Sequence, residues 1–206
     1  MVAKRKPYVS PRRKERAAET RRRLAQSARR LFHDHGYAAT TIAEIADEAG
    51  LAVQTFYAVY GSKRAVLSAL IDQMEEKAEL PRLVEALAAT PYAQEQLTLI
   101  VDFTVRLFDR GADVLETLRS AASAEPDLVA AYKEGDARRR RDQRRLVQGW
   151  ATRRALRHGL SEREAADVLW AMTSAELYRL FVTENGWSTR RLGDWLIRVL
   201  THLLFG

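Results

Sequence analysis

The chain has 206 residues, of which 47% are hydrophobic, and a formal net charge of +7. This length and composition are typical of a globular protein with one sizeable core or two smaller ones, and they exclude a disordered tail. The absence of cysteine excludes disulfides and thiolate metal sites and permits a reducing compartment. There is no export signal and no run of about 18 uncharged apolar residues, so we expect a cytoplasmic protein that does not span a membrane.

The positive charge is concentrated at the N-terminus. Residues 1–23 contain ten Lys or Arg and two Glu, which gives this segment a charge of +8 and leaves −1 for the other 183 residues. We expect residues 1–16 to form a basic arm that Pro7 and Pro11 hold extended. Arg12 and Arg13 are its candidate DNA contacts, because such an arm can follow phosphates or enter a minor groove. The alternative is a solvated tail.

Two short helices separated by a three-residue turn are predicted between residues 40 and 60. Thr40 and Thr41 are suited to a helix start, and Glu44 follows Thr41 by three residues, as in a capping box. Gly50 ends this helix, because glycine tolerates the left-handed conformation that helix ends usually need. Apolar residues recur at helical spacing between these ends: Ile42, Ile45, Ala46 and Ala49.

The second helix of the pair is predicted to begin near residue 52 and to have two different faces. A rotation of about 100° per residue turns Phe56 and Tyr60 inward, with Val53 beside them. The outward face is polar or small and carries the candidate DNA-binding residues Gln54, Thr55, Tyr57 and Ala58. A glutamine can pair with adenine and hydroxyl groups can reach phosphates, so this face suits a major groove. The alternative is an ordinary surface of a small helical domain.

Residues 17 to 75 resemble the TetR (tetracycline-repressor) family of bacterial transcriptional regulators. The matching positions are Leu24, Ala28, Leu31, Phe32, Gly36, Tyr37, Thr40, Thr41, Ile45, Ala46, Ala49, Gly50, Thr55, Phe56, Tyr57, Ser62 and Lys63. The resemblance implies that Thr40 and Thr41 contact or cap near phosphate. It also implies that the outward face of the second helix meets DNA, and that Lys63, which opens the next helix, grips a phosphate. The chain departs from the family's pattern at Ala52, Val53, Val59 and Gly61, which leaves the half-site sequence open.

Beyond Ser62 the pattern is helical, and no strand is predicted. Prolines and glycines, Gly111 among them, mark the expected breaks. The expected helices are 62–79, 82–89, 92–109, 112–123, 126–156, 161–184 and 188–204. The predicted fold is therefore all-α, with an N-terminal three-helix helix-turn-helix DNA-binding domain at residues 17–61. A larger helical ligand-binding and dimerisation domain follows at residues 62–206.

The two C-terminal helices have apolar faces wider than one neighbouring helix would cover. The candidate dimer-interface residues on them are Leu177, Phe181, Leu192, Trp195, Leu196, Val199 and Leu203. Such faces favour a four-helix contact between two identical subunits, which the resemblance also implies. The alternative is a purely intramolecular core.

The resemblance further implies a cavity for a small regulatory ligand in the larger domain. The candidate lining residues are Phe103, Leu107, Phe108, Leu115, Leu118, Trp150, Trp170 and Thr173. Ordinary cores have the same composition, so plain packing is the alternative. Asp102, Thr104 and Glu116 would influence the choice of ligand only if they are buried.

A second basic run, Arg138–Arg141 with Arg144 and Arg145, lies in the predicted helix 126–156. Consecutive arginines point to all sides of a helix. We therefore expect a solvated, ion-paired face rather than a second nucleic-acid site.

No catalytic or metal-binding motif is present in the sequence, so we expect neither enzymatic activity nor a cofactor. The pattern predicts a transcriptional regulator that binds double-stranded DNA sequence-specifically, a repressor that responds to an unknown small-molecule effector. It would bind a (pseudo)palindromic operator as a homodimer. Two other classes stay open, a basic helical protein that binds nucleic acid without sequence preference and an interaction protein whose arm meets an anionic membrane surface.

Overall fold

The computed structural model describes residues 11–77, 79–122 and 124–206, and within these ranges the regular structure is helical, without strands. The chain divides into two compact units, of which the first ends at Leu70 and the second runs from Ile71 to Gly206. None of the described helices is both long and apolar enough to cross a membrane.

The first unit is built from three helices and the start of a fourth. They are α1 (Pro11–His35), α2 (Ile42–Glu48), α3 (Val53–Val59) and α4 (Lys63–Lys77). Each helix contributes one apolar face to a common core, whose fully buried members include Leu24, Ala28, Ile45, Ala46, Phe56, Val66 and Leu67. The helical spacing of these residues therefore reports the buried faces correctly.

α1 begins at Pro11, which differs from the expected extended arm. Proline is favoured in the first helical turn because its fixed φ suits the helix and its missing N–H would have no intrahelical partner. Arg12 and Arg13 consequently lie on the first turn of a helix, and the prediction of an extended segment up to residue 16 is wrong. Residues 1–10 of the predicted arm lie outside the described residues.

After the end of α4, the described residues of the second unit form six helices and a π-helical segment. They are α5 (Leu80–Ala89), α6 (Ala93–Ser120), α7 (Pro126–Thr152), α8 (Glu162–Met172), α9 (Ala175–Tyr178), the π-helical segment Arg179–Glu184 and α10 (Thr189–Phe205). α6, α7, α8 and α10 surround its core, which includes Leu97, Val101, Val147, Trp150, Leu169, Leu196 and Leu200.

The predicted helix break at Gly111 is wrong, because α6 continues through this residue. Gly111 is buried, and a Cβ atom there would collide with Cγ and Sδ of Met74. The glycine therefore allows a neighbouring side chain to approach the helix backbone closely, and it does not end the helix.

The predicted helix 161–184 is interrupted in the structure. α8 ends at Met172, and the carbonyl of Thr173 accepts a hydrogen bond from the Arg139 guanidinium of α7 at 2.8 Å. Ser174 then caps a new start, since its hydroxyl accepts from the backbone N–H of Leu177 at 3.2 Å. A cation from another helix and a local cap together produce a break that the apolar pattern does not reveal.

Candidate nucleic-acid interface

α2 begins with a complete capping box. The Thr41 hydroxyl accepts from the Glu44 backbone N–H at 3.2 Å, and the Glu44 carboxylate accepts from the Thr41 backbone N–H at 2.7 Å and from its hydroxyl at 2.8 Å. Led by the bond from the Thr41 backbone, these contacts hold the pKa of Glu44 below its ordinary value. This start of α2 confirms the prediction from the Thr-x-x-Glu pattern.

The turn between α2 and α3 is closed by two backbone hydrogen bonds. Gly50 has φ +62° and donates to the Asp47 carbonyl at 2.8 Å, while Leu51 donates to the Ala46 carbonyl at 2.9 Å. This pairing is the Schellman ending of a helix, which needs a left-handed residue at the position that Gly50 occupies. The turn therefore sets the direction in which α3 leaves α2.

α3 has the two faces that the sequence predicts. Phe56 is fully buried and Tyr60 is only 9% exposed, whereas Tyr57 is 54% exposed. Gln54 and Ala58 are exposed as well, and Thr55 is half-buried. Because α3 spans only the seven residues Val53–Val59, these side chains cover most of its outward surface. A short helix with one polar and small face has the dimensions and chemistry that a major groove accepts.

Val53 lies where the sequence does not place it. It is 40% exposed at the first position of α3, so the expectation that it packs beside Phe56 is wrong. The helix has no preceding turn here to cover the side chain, which explains why the rotation argument fails at this end.

Thr40 cannot contact a phosphate in this structure. Its side chain is 1% exposed, and its hydroxyl is within hydrogen-bond distance of the carbonyls of Leu31 at 3.1 Å and Gly36 at 2.9 Å. The implied DNA contact of Thr40 is therefore replaced by a structural role at the end of α1. Thr41 remains exposed at the surface, but its hydroxyl already serves the capping box of α2.

Lys63 does open α4, yet its ammonium is already bound. The Nζ atom donates to the carbonyls of Tyr37 at 2.7 Å and Thr40 at 2.9 Å, with that of Ala38 at 3.4 Å. It also lies 4.4 Å from the centre of the Tyr37 ring. In this structure backbone oxygens therefore accept from the donors that a phosphate would need, and the phosphate contact implied for Lys63 stays a prediction.

The cations of α1 have two different environments. Arg12 and Arg13 are exposed, which leaves them accessible to an anionic partner. Arg21 instead donates to the Val59 carbonyl at 3.1 Å, and Arg23 donates to the Ala49 carbonyl. The sequence reasoning missed these two contacts.

The candidate ligand residues are not brought together around one cavity. Phe108 and Thr173 line a narrow cleft with Thr104, Met172 and Tyr178, whose interstitial space of about 160 Å³ has no room for a water-sized sphere. Leu118 is buried, and the partly buried members of the set are Phe103, Leu107, Leu115 and Trp170. Of the three polar candidates, Thr104 is buried, while Asp102 and Glu116 are exposed.

The two candidate tryptophans of the ligand set have polar partners of their own. Trp150 is fully buried and donates from Nε1 to Oε1 of Gln96 at 2.6 Å. Trp170 is half-buried, donates to the Asp136 carboxylate at 3.2 Å, and has the Arg140 guanidinium 4.6 Å above its ring. Both contacts are internal to the fold.

Two of the candidate dimer residues are part of the intramolecular core. Leu192 and Leu196 are each 1% exposed, so they cannot also form an outer surface, and their assignment to an interface is wrong. The other candidates are half-buried: Leu177, Phe181, Trp195, Val199 and Leu203. The ring centroids of Phe181 and Trp195 lie 5.0 Å apart with the rings tilted, and both rings form an aromatic cluster with Trp187.

The ion pairs expected of the second basic run are present, but Arg139 and Arg140 are half-buried, so the prediction of a solvated face is wrong for these two. Arg139 pairs with Asp136, Arg145 with Asp142, and both Arg140 and Arg144 with Asp167. No group of three or more His, Asp or Glu suited to a metal ion occurs within the described ranges.

Comparison with known proteins shows what the first unit resembles. Residues 24–70 match the model for bacterial regulatory proteins of the tetR family. The HTH-type transcriptional regulator TtgR of Pseudomonas putida is 38% identical over 63 residues, which are 31% of this chain and 30% of that protein. Residues 24–70 are therefore similar to the DNA-binding segment of tetR-family regulators. The chain matches less than a third of the length of this relative, and the matched family segment contains α2, α3 and the start of α4.

Solved structures extend the likeness from the matched segment to both units. A transcriptional regulator from Saccharomonospora viridis in complex with choline has a TM-score of 0.72 at 21% identity, covering 92% of this chain and 99% of that one. NalD, the secondary repressor of the MexAB-OprM multidrug efflux pump in Pseudomonas aeruginosa, has a TM-score of 0.69 at 18% identity, covering 93% and 98%. At these identities the likeness establishes the shared fold.

Proposed function

We propose that this protein is a cytoplasmic transcriptional regulator of the tetR family, not an enzyme, and that it binds a (pseudo)palindromic operator in double-stranded DNA as a homodimer. The observation that carries the proposal is the exposed face of α3, which consists of Gln54, Tyr57 and Ala58. The buried Phe56 on the opposite side of the helix fixes the direction in which this face points. Thr55 stands at its edge. Two such helices related by two-fold symmetry would read two half-sites, since one seven-residue helix has few base-reading groups.

The proposed contacts divide into two kinds. Gln54 would read a base edge, with adenine as its preferred partner, and Ala58 would allow close approach to a thymine methyl. The hydroxyls of Thr55 and Tyr57 would reach phosphates, and Arg12 and Arg13 on the first turn of α1 would add sequence-independent attraction. Residues 17–61 would thus form the DNA-reading part, and residues 62–206 the part that binds an effector and a second subunit.

We further propose that the regulator is a repressor and that a small molecule changes its affinity for DNA. Support comes from two proteins of similar fold, since NalD is a repressor and the Saccharomonospora viridis regulator was solved in complex with choline. The cleft at Phe108 and Thr173 would have to open to admit any effector, because it has no free space for one.

The decisive experiment is selection of bound duplexes from a random DNA pool at near-physiological salt. The wild type is compared with a Gln54→Ala, Tyr57→Ala double variant, which removes two exposed side chains of α3 and leaves its buried face intact. We expect an inverted repeat to be enriched by the wild type alone. If no sequence is enriched, the proposal is contradicted and non-specific binding is favoured. A binding assay with acidic vesicles then distinguishes non-specific nucleic-acid binding from membrane binding.

A further inference from the structure

Each helix of the first unit that precedes α4 has carbonyls at or just beyond its C-terminal end that accept from a cation of another helix. Lys63 of α4 binds the segment after α1, Arg23 of α1 binds the end of α2, and Arg21 of α1 binds the end of α3. The C-terminal end of a helix carries unpaired carbonyls and partial negative charge, so a cation is favoured there. Arg23 and Arg21 make such helix-end interactions, while Lys63 binds carbonyls of the turn between α1 and α2, and together the three cations connect the four helices.

The interaction of Lys63 is the most complete. An ammonium has three N–H donors, and three carbonyls, those of Tyr37, Ala38 and Thr40, lie within 3.4 Å of Nζ. The Tyr37 ring, which is itself 1% exposed, adds a cation–π contact at 4.4 Å. This cage secures the turn between α1 and α2 to the first residue of α4.

The interaction of Arg21 is reciprocal. The Arg21 guanidinium donates to the carbonyl of Val59, the last residue of α3, and lies 4.8 Å from the centre of the Tyr60 ring. The Tyr60 hydroxyl in turn donates to the Arg21 carbonyl at 3.0 Å. Arg23 binds the C-terminal end of α2, where the turn to α3 begins, because its guanidinium donates to the carbonyl of Ala49, the C-cap of α2. Both ends of the α2–α3 pair are thus tied to α1.

We propose that Lys63, Arg23 and Arg21 are positioning residues that orient α3 for reading DNA, and that the Lys63 ammonium binds this carbonyl cage in place of a DNA phosphate. The hydrogen bonds of these three side chains lie within the first unit, although Arg21 and Arg23 are exposed as Arg12 and Arg13 are, and the electrostatic attraction to DNA comes mainly from Arg12 and Arg13. The part of this inference that concerns reading rests on the proposed DNA binding. The cage itself does not.

The cage is tested first on the wild type without DNA, by the rate at which acetic anhydride acetylates each lysine, followed by mass spectrometry. Lys133 is an exposed reference on α7. We expect Lys63 to react more slowly than Lys133 by about tenfold or more, because its hydrogen bonds must break before the amine can react. We also expect the rate at Lys63 to be unchanged when DNA is added. A free-protein rate equal to that of Lys133, with protection only on DNA, would overturn the proposal.

The second arm measures binding of Lys63→Met to the selected operator and to a mixed-sequence duplex of about 30 base pairs, long enough for two half-sites. We expect the preference for the operator to fall, because α3 is less well oriented, while the slope of log affinity against log salt stays that of the wild type. If Lys63 instead bound DNA phosphate, the substitution would lower this slope by about 0.9 for each phosphate that the lysine neutralises, and it would weaken binding to both duplexes alike. That result would overturn the proposal.

Matched variants keep the outcomes distinct. Arg22 lies between Arg21 and Arg23 and is exposed as they are, but its guanidinium pairs with Glu19 of the same helix at 2.5 Å. We expect Arg21→Met and Arg23→Met to lower the thermal midpoint and Arg22→Met to leave it unchanged. If Lys63→Met does not fold, the acetylation rate still decides whether the cage exists. If the wild type selects no operator, the proposed function fails while the acetylation result stands on its own.

Discussion

Gln96 shows how much a single buried amide can connect. It is 5% exposed, and its Nε2 atom donates to the carbonyls of Leu87 at 3.0 Å and Thr90 at 2.7 Å, at the end of α5. Its Oε1 atom accepts from Trp150 at 2.6 Å and from Arg153 at 3.2 Å, both from the C-terminal end of α7. A buried amide paired at both ends joins α5, α6 and α7 without leaving a polar atom unsatisfied.

This network predicts that Trp150 contributes to stability through its N–H group. Trp150→Phe removes the donor, leaves the Gln96 oxygen with one partner fewer and opens a small void. We expect the free energy of unfolding to fall by about 1–3 kcal/mol. Urea denaturation followed by circular dichroism measures it. Trp187→Phe, at a half-buried position of the aromatic cluster, is the control, and equal losses in the two variants would contradict the special role of Trp150.

Among the elements, α2 and α8 begin in the same way. Ser161 and Glu164 form a second complete capping box, in which the carboxylate accepts from the Ser161 hydroxyl at 2.6 Å and its backbone N–H at 3.1 Å. The side-chain bond first, and the backbone bond after it, lower the pKa of Glu164 as the Thr41 bonds lower that of Glu44. Both helix starts are therefore coupled to the ionisation of one glutamate.

The coupling predicts a pH dependence with a definite sign. A carboxyl group whose pKa is lower in the folded protein stabilises it above the unfolded value of 4.5, and this contribution disappears as the pH falls through the folded pKa. Glutamine keeps an accepting oxygen but does not ionise in this range. We therefore expect Glu44→Gln, Glu164→Gln to lose less stability than the wild type between about pH 5 and pH 3. Thermal midpoints across this range test it, with exposed Glu85→Gln as control; parallel curves would refute it.

Two helix-interior glycines lead to opposite predictions. At Gly135 of α7 a Cβ atom would meet nothing within 4 Å, so Gly135→Ala should stabilise the protein by about 0.5–1 kcal/mol. At Gly111 the new methyl would collide with Met74, so Gly111→Ala should destabilise by about 1–3 kcal/mol despite the better helix propensity of alanine. Chemical denaturation measures both. Adding Met74→Ala should reduce the penalty of Gly111→Ala, and a penalty that persists unchanged would show that the collision is not its cause.

For the whole molecule, the proposed homodimer requires a surface that the subunit itself does not cover. Leu192, Leu196, Leu200 and Leu204 of α10 are buried in the subunit core. Val199 and Leu203 flank this stripe and are half-buried, as are Phe181 and Trp195 of the neighbouring aromatic cluster. A second copy of the chain would cover the remaining apolar area of these side chains, as apolar helix faces require in water.

This surface predicts the effect of charge on assembly. We expect Val199→Arg, Leu203→Arg to shift the protein from dimer to monomer in sedimentation velocity while far-UV circular dichroism keeps its helical signal, because two cations are buried only at the interface. Val84→Arg, at a 58% exposed position of α5, should leave the dimer intact. If the double variant sediments as a dimer like the wild type, the interface lies elsewhere. If the wild type itself is a monomer, the proposed homodimer is contradicted.

The sequence by itself determined the features whose partners are near neighbours along the chain. The capping box at Thr41, the left-handed Gly50 and the inward direction of Phe56 each follow from residues within a few positions, because helix starts, ends and faces depend on local geometry. The exposed α3 surface could be named for the same reason. The apolar spacing also predicted the buried faces of α2 and α3 and the all-helical fold.

Only the tertiary structure decided which partners the long side chains bind and where helices are interrupted. Lys63 binds carbonyls as many as 26 residues earlier, and a lysine reaches a phosphate or a carbonyl with the same atom, so its neighbours and not its spacing select the partner. α6 continues through Gly111, where glycine leaves room for the side chain of Met74. α8 ends before Thr173, whose carbonyl accepts a hydrogen bond from Arg139 of another helix. The local sequence pattern does not predict such distant partners, because they meet only once the helices have packed together.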